Sequence, residues 1–149
     1  QAEITDRMGD LPLHEACLRA APFRVIKSLI SAYRDGVKQK GFCGRLPLHY
    51  ASYNNPCLNI INLLLQNYPE GISTLDSDGR LPLHLAVVRN APKEAIQTLI
   101  TAFPKSLYTP NKFGSTPQML ARTENIQVML QDVTVEAKHK VIDVKKTLE

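Results

Sequence analysis

Glycine recurs along this chain at a fixed interval. The four glycines that mark the interval are spaced 35 residues apart, at Gly9, Gly44, Gly79 and Gly114. Each is followed by a similar tetrapeptide, Leu-Pro-Leu-His in the first three copies and Thr-Pro-Gln-Met in the fourth, at residues 11–14, 46–49, 81–84 and 116–119. A period of this length is typical of one supersecondary unit copied along a chain, because each unit buries its apolar face only against its neighbours. The sequence therefore predicts a stack of repeats rather than a globule around one active centre.

Each copy carries signals for two short helices. A proline stands where the first helix begins, a position at which its missing N–H loses no hydrogen bond. In the second copy this helix is predicted over 47–54, with a break at Asn54-Asn-Pro56. An apolar stripe then predicts a second helix over 57–67, which ends at Tyr68-Pro69. The turn Asp76-Ser-Asp-Gly79 follows, in which the aspartate bonds local amides and the glycine tolerates positive φ.

This arrangement resembles the ankyrin repeat. The resemblance rests on Gly-Arg-Leu-Pro-Leu-His-Leu-Ala at residues 79–86, with matching segments in the first two copies, and it covers residues 6 to about 131. It implies an all-α repeat solenoid of antiparallel helix pairs joined by β-hairpin-like fingers. Four repeats are expected, the last a shortened C-terminal cap, at about 6–40, 41–75, 76–110 and 111–131. Residues 132–149 are expected to form a helical extension or linker; a basic membrane-binding or calmodulin-type helix is the alternative.

The copies depart from the family pattern at one position in particular. Leu11, Leu46 and Leu81 stand where ankyrin repeats usually carry a threonine whose hydroxyl caps the first helix. Loss of such a cap costs about 1 kcal/mol, whereas burial of a leucine returns ~1.5–3 kcal/mol. We therefore predict that these leucines are packed between adjacent repeats.

Composition and charge agree with a soluble folded chain. Hydrophobic residues make up 44% and charged residues 21%, and the net charge of +4 is too mild for a dedicated nucleic-acid binder. The chain starts at Gln1 rather than Met, so we expect a piece of a longer protein in which further repeats could precede it.

The three cysteines, Cys17, Cys43 and Cys57, lack any CxxC spacing. They indicate neither a disulfide framework nor a zinc site. Cys17 is expected to be buried and Cys43 to lie at an exposed turn. The expected location is intracellular, cytoplasmic or nuclear.

Two segments of the chain match enzyme motifs only in part. His14-Glu15 begins like HExxH, yet Leu18 stands where the second metal ligand belongs. Residues 36–41 have the glycine spacing of a phosphate-binding loop but lack the Lys-Ser/Thr that would follow. A Cys43–His49 nucleophile dyad is a weak alternative. No catalytic residue and no cofactor is expected.

The repeated histidines, His14, His49 and His84, are not expected to bind a metal ion. A 35-residue period places them about one repeat apart, in the ~8–10 Å range of packed helices. Zinc needs its ligands at ~2 Å. We predict instead that each imidazole bonds neighbouring backbone and fixes the bend between finger and helix.

Partners of ankyrin repeats usually dock on the finger tips and the exposed side of the first helices, a concave face. Carried over in register, the resemblance selects finger residues Lys38, Lys40, Phe42, Arg45, Asp76, Asp78, Arg80, Lys112 and Phe113. The first helices add Glu15, Arg19, Tyr50, Tyr53, Asn54, Val88 and Arg89.

Two tyrosines of one helix stand out within this set. Tyr50 and Tyr53 are three residues apart and are predicted to lie near Arg45 and Arg89. Tyrosine and arginine are enriched at binding hot spots. The alternative is that Tyr50 merely covers the neighbouring repeat. The cluster predicts a partner protein or peptide segment that carries acidic and apolar residues.

The leading function is a non-enzymatic protein–protein interaction module, acting as adaptor, scaffold or targeting domain. The alternative is a regulatory or substrate-docking domain of a larger multidomain enzyme. A third is weak binding of nucleic acid or anionic lipid through Lys38, Lys40 and the lysine-rich tail. No small-molecule substrate is expected.

Overall fold

The computed structural model describes residues 4–54 and 57–148. Within these ranges it does not describe the side chains of residues 137–145 and 148. The described chain forms eight α-helices and four 3₁₀ helices and contains no strand. The α-helices are α1 (Pro12–Leu18), α2 (Phe23–Ala32), α3 (Pro47–Tyr53), α4 (Leu58–Asn67), α5 (Pro82–Val88), α6 (Lys93–Ala102), α7 (Pro117–Leu120) and α8 (Glu124–Leu148).

The first helix of every copy begins at its proline, as predicted. The residue before the proline has extended backbone, for example Leu46 with φ −79° and ψ 162°. Such a conformation is the one that a following proline favours. The predicted limits 47–54 and 57–67 agree with α3 and α4 to within one residue. The predicted break at Asn54-Asn-Pro56 falls partly on residues 55 and 56, which lie outside the described residues.

The fingers consist of a 3₁₀ helix and a narrow turn rather than paired strands in the described residues. In the second copy, the 3₁₀ helix Pro69–Ser73 leads into a turn closed by the Asp76 N–H, which donates to the Arg80 carbonyl at 3.0 Å. Gly79 has φ +71°, and a Cβ there would lie 3.0 Å from the Lys112 backbone nitrogen. The turn therefore needs glycine both for its backbone conformation and for the close approach of the next finger.

The core lies between successive copies. α1 packs on α3, α3 on α5 and α5 on α7, while α2 packs on α4 and α4 on α6. Each helix pair thus buries its apolar residues against the next pair, and the contiguous cluster runs from Leu13 to Leu130. This is the predicted linear stack.

The leucines that replace threonine are buried, as predicted. Leu11 is 5% exposed, and Leu46 and Leu81 are 1% exposed. The Leu46 side chain lies beside Gly71, a glycine of its own copy. Leu11 lies in the same way beside Gly36. These contacts join finger and first helix within one copy, so the packing of the leucines between adjacent repeats stays a prediction.

The fourth copy is short at its first helix and long at its second. α7 has four residues, whereas α8 runs for 25 residues without a break. The expected boundary between the cap and the C-terminal extension, at 131/132, therefore lies inside a single helix. The lysines of the tail at positions 138, 140 and 145 belong to the side chains that are not described.

Candidate functional site

Each repeated histidine is fixed at the start of its first helix by backbone hydrogen bonds. Nδ1 of His49 accepts the N–H of Leu46 at 3.1 Å, and Nε2 donates to the Arg80 carbonyl at 3.2 Å. Nδ1 accepts the equivalent leucine N–H in the other copies, at 2.9 Å for His14 and 3.0 Å for His84. All three imidazoles are completely buried. The prediction that each imidazole bonds neighbouring backbone is confirmed through Nδ1 in all three copies. The Nε2 bond is made by His14, to the Gln39 carbonyl at 2.9 Å, and by His49, whereas the buried Nε2 of His84 has no partner among the described residues.

Burial keeps these imidazoles neutral. Desolvation lowers the pKa of His49 to about 4, partly offset by the Arg80 carbonyl and the nearby Asp76 carboxylate. Desolvation also lowers the pKa of His14 and His84. Among the residues in 4–54 and 57–148 that are described, no group of three or more His, Cys, Asp or Glu side chains is placed to hold a metal ion.

The Asp76 carboxylate stabilises the turn of its own finger. Its Oδ1 accepts the N–H groups of Asp78 and Arg80, both at 2.9 Å, and its Oδ2 lies 3.3 Å from Nε of Arg45. Because the carboxylate holds the turn and the neighbouring finger, Asp76 is only 6% exposed. This corrects the expectation that Asp76 lies on the exposed partner-facing surface.

Tyr50 is likewise buried, at 4% exposure. Its hydroxyl donates to the Asp10 carboxylate, 3.0 and 3.1 Å from the two oxygens, and its ring meets His14 edge-on at 5.7 Å between centroids. Burial, with the Asp10 hydrogen bond second, raises the pKa of Tyr50. Tyr50 therefore lies between the first and second copies, and the expectation that it stands on the exposed face is corrected in favour of the alternative.

Removal of the Tyr50 hydroxyl is expected to loosen this junction. Tyr50→Phe leaves one Asp10 hydrogen bond unmade in a buried place, and bonds to charged groups are worth roughly 1.5–3 kcal/mol. We expect urea unfolding to show a loss of about that size. Tyr108→Phe is the matched control, since Tyr108 is 55% exposed. Equal effects of the two substitutions would contradict the assigned role.

Tyr53 is half-buried and lies between two arginines. The guanidinium carbon of Arg89 is 4.7 Å from the centre of the Tyr53 ring and that of Arg45 is 5.8 Å away. Nε of Arg89 donates to the Tyr53 carbonyl at 3.2 Å. The predicted proximity of these three side chains is confirmed. Tyr53 and Arg89 border an open cleft of about 730 Å³, which we call the Tyr53 cleft, lined by Leu18, Arg19, Tyr53, Asn54 and Arg89.

The other selected residues are distributed along the fingers and first helices. Phe42 and Phe113 are 44% and 70% exposed. Asp78 and Arg80 pair with each other at 3.2 Å, and Val88 is half-buried. Lysines at three finger positions are exposed, namely Lys38, Lys40 and Lys112. Glu15 and Arg19 form an ion pair on α1.

Two residues of this surface, the half-buried Leu18 and the exposed Met8, were not selected from the sequence. Leu18 lines the Tyr53 cleft, and Met8 is 53% exposed on the first finger. Their register in the 35-residue repeat could have identified them, because each is equivalent to a residue that was selected. Leu18 is equivalent to Tyr53 in the 35-residue register, and Met8 is equivalent to Phe113.

None of the helices that the structure describes between residues 4 and 148 combines the length and apolar character that crossing a bilayer requires.

Comparison with known proteins identifies the repeats. A family model described as ankyrin repeats, in three copies, matches residues 13–105, which is more than half of the 149-residue chain. A search of curated proteins gives no match. Ankyrin repeats are generally protein–protein interaction modules and are typically non-enzymatic. The matched span and the stacked helix pairs place the chain in the ankyrin-repeat family.

Proposed function

We propose that this chain is a non-enzymatic adaptor, scaffold or targeting domain that binds another protein through the surface formed by its fingers and first helices. The observation that carries the proposal is the Tyr53 cleft. A half-buried tyrosine flanked by guanidinium groups combines a rigid aromatic surface with directional donors, and these residue types dominate binding hot spots.

The charges at the cleft favour an acidic partner. None of the ion pairs formed among the described residues involves Arg89. Its guanidinium stacks on Tyr53 and donates through Nε alone, so the remaining N–H groups are available to a ligand. A carboxylate accepts two parallel N–H bonds from such a fork. The proposed partner segment therefore places an acidic side chain against Arg89.

Apolar surface beside the cleft favours a mixed segment rather than a purely acidic one. Leu18 lines the cleft, and the half-buried Val88 precedes Arg89 on α5. The exposed aromatic side chains of Phe42 and Phe113 extend the apolar surface along the fingers. A peptide segment that alternates acidic and apolar side chains would engage both features.

The cysteines support an intracellular location, cytoplasmic or nuclear. Cys17, Cys43 and Cys57 are all free thiols; Cys17 is buried, Cys43 is half-buried and Cys57 is exposed. Exposed free thiols are more typical of reducing compartments than of secreted proteins.

The proposal is tested by reversing charge at the cleft. The double variant Tyr53→Ala/Arg89→Glu should bind the partner at least about 30-fold more weakly, since a hot-spot residue contributes at least ~2 kcal/mol to the binding free energy. The measurement is quantitative mass spectrometry of proteins captured from the native cell by the original and variant chains. Lys27→Glu, on an exposed position of α2, is the matched charge control.

Two outcomes would contradict the proposal. Partners that remain bound to the double variant, while circular dichroism shows both chains folded, would remove the cleft as the binding site. Capture dominated by nucleic acid or anionic lipid, with steep loss in salt, would favour the basic finger positions instead.

A further inference from the structure

The N-terminal end of the stack has an open side, which we call the N-terminal end face and define by Pro12, Glu15, Val25 and Leu29. The equivalent positions in the next two copies are all buried: Pro47, Tyr50, Ile60 and Leu64, and then Pro82, Leu85, Ala95 and Leu99. In the first copy Pro12 and Val25 are exposed, and Glu15 and Leu29 are only half-buried. Val25 is 39% exposed, compared with 6% for Ile60 and 1% for Ala95.

This difference in burial arises because each later helix pair is covered on its N-terminal side by the preceding helix pair, whereas no described helix covers the first pair on that side. α3 is covered by α1, and α4 is covered by α2. The same contacts are repeated by α5 on α3 and by α6 on α4. The N-terminal end face is therefore the surface that, in the later copies, forms the interface with a preceding helix pair. Three of its four residues are apolar, as in those interfaces.

The first finger also has a hydrogen-bond donor that its later equivalents use. The N–H of Ser77 donates to the Cys43 carbonyl at 2.8 Å, and the N–H of Lys112 donates to the Asp78 carbonyl at 3.0 Å. Both bonds join a finger to the one before it. The equivalent backbone N–H in the first finger is that of Arg7. This N–H makes no hydrogen bond within the described residues.

The C-terminal end differs from this pattern. Its first helix, α7, has only four residues and carries Gln118 and Met119 where the other copies have leucine and histidine. Its second helix continues for 25 residues. The C-terminal end of a second copy would therefore not offer the helix pair that the N-terminal end face matches.

We propose that the N-terminal end face is a docking surface for one further helix-pair repeat of the same 35-residue register. The incoming pair covers Val25 and Leu29 with its second helix and Pro12 with its first. Its finger accepts the Arg7 N–H. The surface is separate from the Tyr53 cleft, so it does not depend on the proposed partner binding.

The test adds such a repeat to the chain. Residues 41–75 are fused directly ahead of Asp6, a junction that preserves the period because 76 and 6 are equivalent positions and both are aspartate. Since neighbour interfaces contribute most of the stability of a repeat stack, the thermal midpoint should rise by about 5 °C or more in a single transition. Fused and original chains are compared by circular dichroism and differential scanning calorimetry.

Val25→Glu provides the control in both backgrounds. In the original chain, where Val25 is exposed, it should shift the midpoint by less than about 2 °C; in the fused chain it should lower the midpoint by about 5 °C or more. An unchanged midpoint after fusion, or equal effects of Val25→Glu in both chains, would overturn the proposal. Dimerisation of the original chain in sedimentation that Val25→Glu abolishes would also overturn it, since a second copy would then be the occupant.

Discussion

Replacement of Leu46 by alanine is expected to lower the melting temperature by roughly 4–20 °C. Leu46 is 1% exposed and lies against Gly71 at the bend between finger and helix. Leucine-to-alanine changes in cores cost about 2–5 kcal/mol, because apolar contact is lost and a cavity is left. In a chain of this size each kcal/mol lost from the free energy of unfolding lowers the melting temperature by roughly 2–4 °C.

Leu75→Ala is the matched control for this experiment. Leu75 is of the same residue type but is 43% exposed, so the substitution should shift the melting temperature by no more than about 2 °C. Thermal unfolding followed by circular dichroism separates the two. If Leu46→Ala behaved like its exposed counterpart, leucine would not be the stabilising replacement for the usual helix-capping threonine.

The repeat made much of this fold predictable. A signal that recurs in all four copies at one register, such as the proline at the start of each first helix, identifies a helix start more securely than any single occurrence. The same reasoning predicted the burial of Leu46 and the backbone bonds of His49. It did not reveal how the two are related. The Leu46 N–H is accepted by the His49 ring, which is the half of a capping box that the third helical residue supplies. The other half, in which a threonine hydroxyl accepts a helix N–H, is absent, because the leucine side chain makes no capping hydrogen bond.

The burial of Tyr50 and Asp76 was not predicted, and for Tyr50 the reason is that its burial depends on a residue outside the repeat pattern. Tyr50 meets Asp10, whereas the later copies have Arg45 and Arg80 at the position of Asp10. A partial signal was present, since Leu85 is the equivalent of Tyr50 in the third copy and an apolar residue there indicates a covered position. For Asp76 the turn itself was the signal, because a carboxylate that accepts two backbone N–H groups has little capacity left for a partner.

The finger geometry could not be read from hydrophobic periodicity. A 3₁₀ helix of five residues, such as Arg34–Lys38, is too short to show a repeating apolar pattern. Glycine spacing located the turn that follows it but carried no information about the residues between helix and turn. The Tyr53 cleft was predictable only in part for a similar reason. Its residues come from three successive copies, Leu18 from the first, Tyr53 from the second and Arg89 from the third, and they meet through the stacking, which sequence register approximates.

The protein is expected to lose stability steeply as the pH falls from about 6.5 to 4.5. An unfolded histidine titrates near pH 6.5, whereas burial lowers the folded pKa of His49 to about 4, with Asp76 and Arg45 the charged groups that act on it in opposite directions. Between these values the unfolded chain binds a proton that the folded chain does not, so stability falls with falling pH. His49 alone should remove about 2 kcal/mol over this range. Above pH 6.5 its contribution is constant.

Urea unfolding at several pH values tests this directly, with His49→Gln as the comparison. Glutamine three residues into a helix can also accept the N–H of the capping residue, so the variant keeps an acceptor for Leu46 but cannot be protonated. Below pH 6 the unfolding free energy of the original chain should therefore fall more steeply than that of the variant, by about 1.4 kcal/mol per pH unit. Carboxylates titrate nearer pH 4 and affect both chains alike, so the comparison is made between pH 6.5 and 5. Parallel curves over that range would mean that protonation of His49 does not oppose folding, and the backbone bonds to its ring would then lack the stabilising role assigned to them.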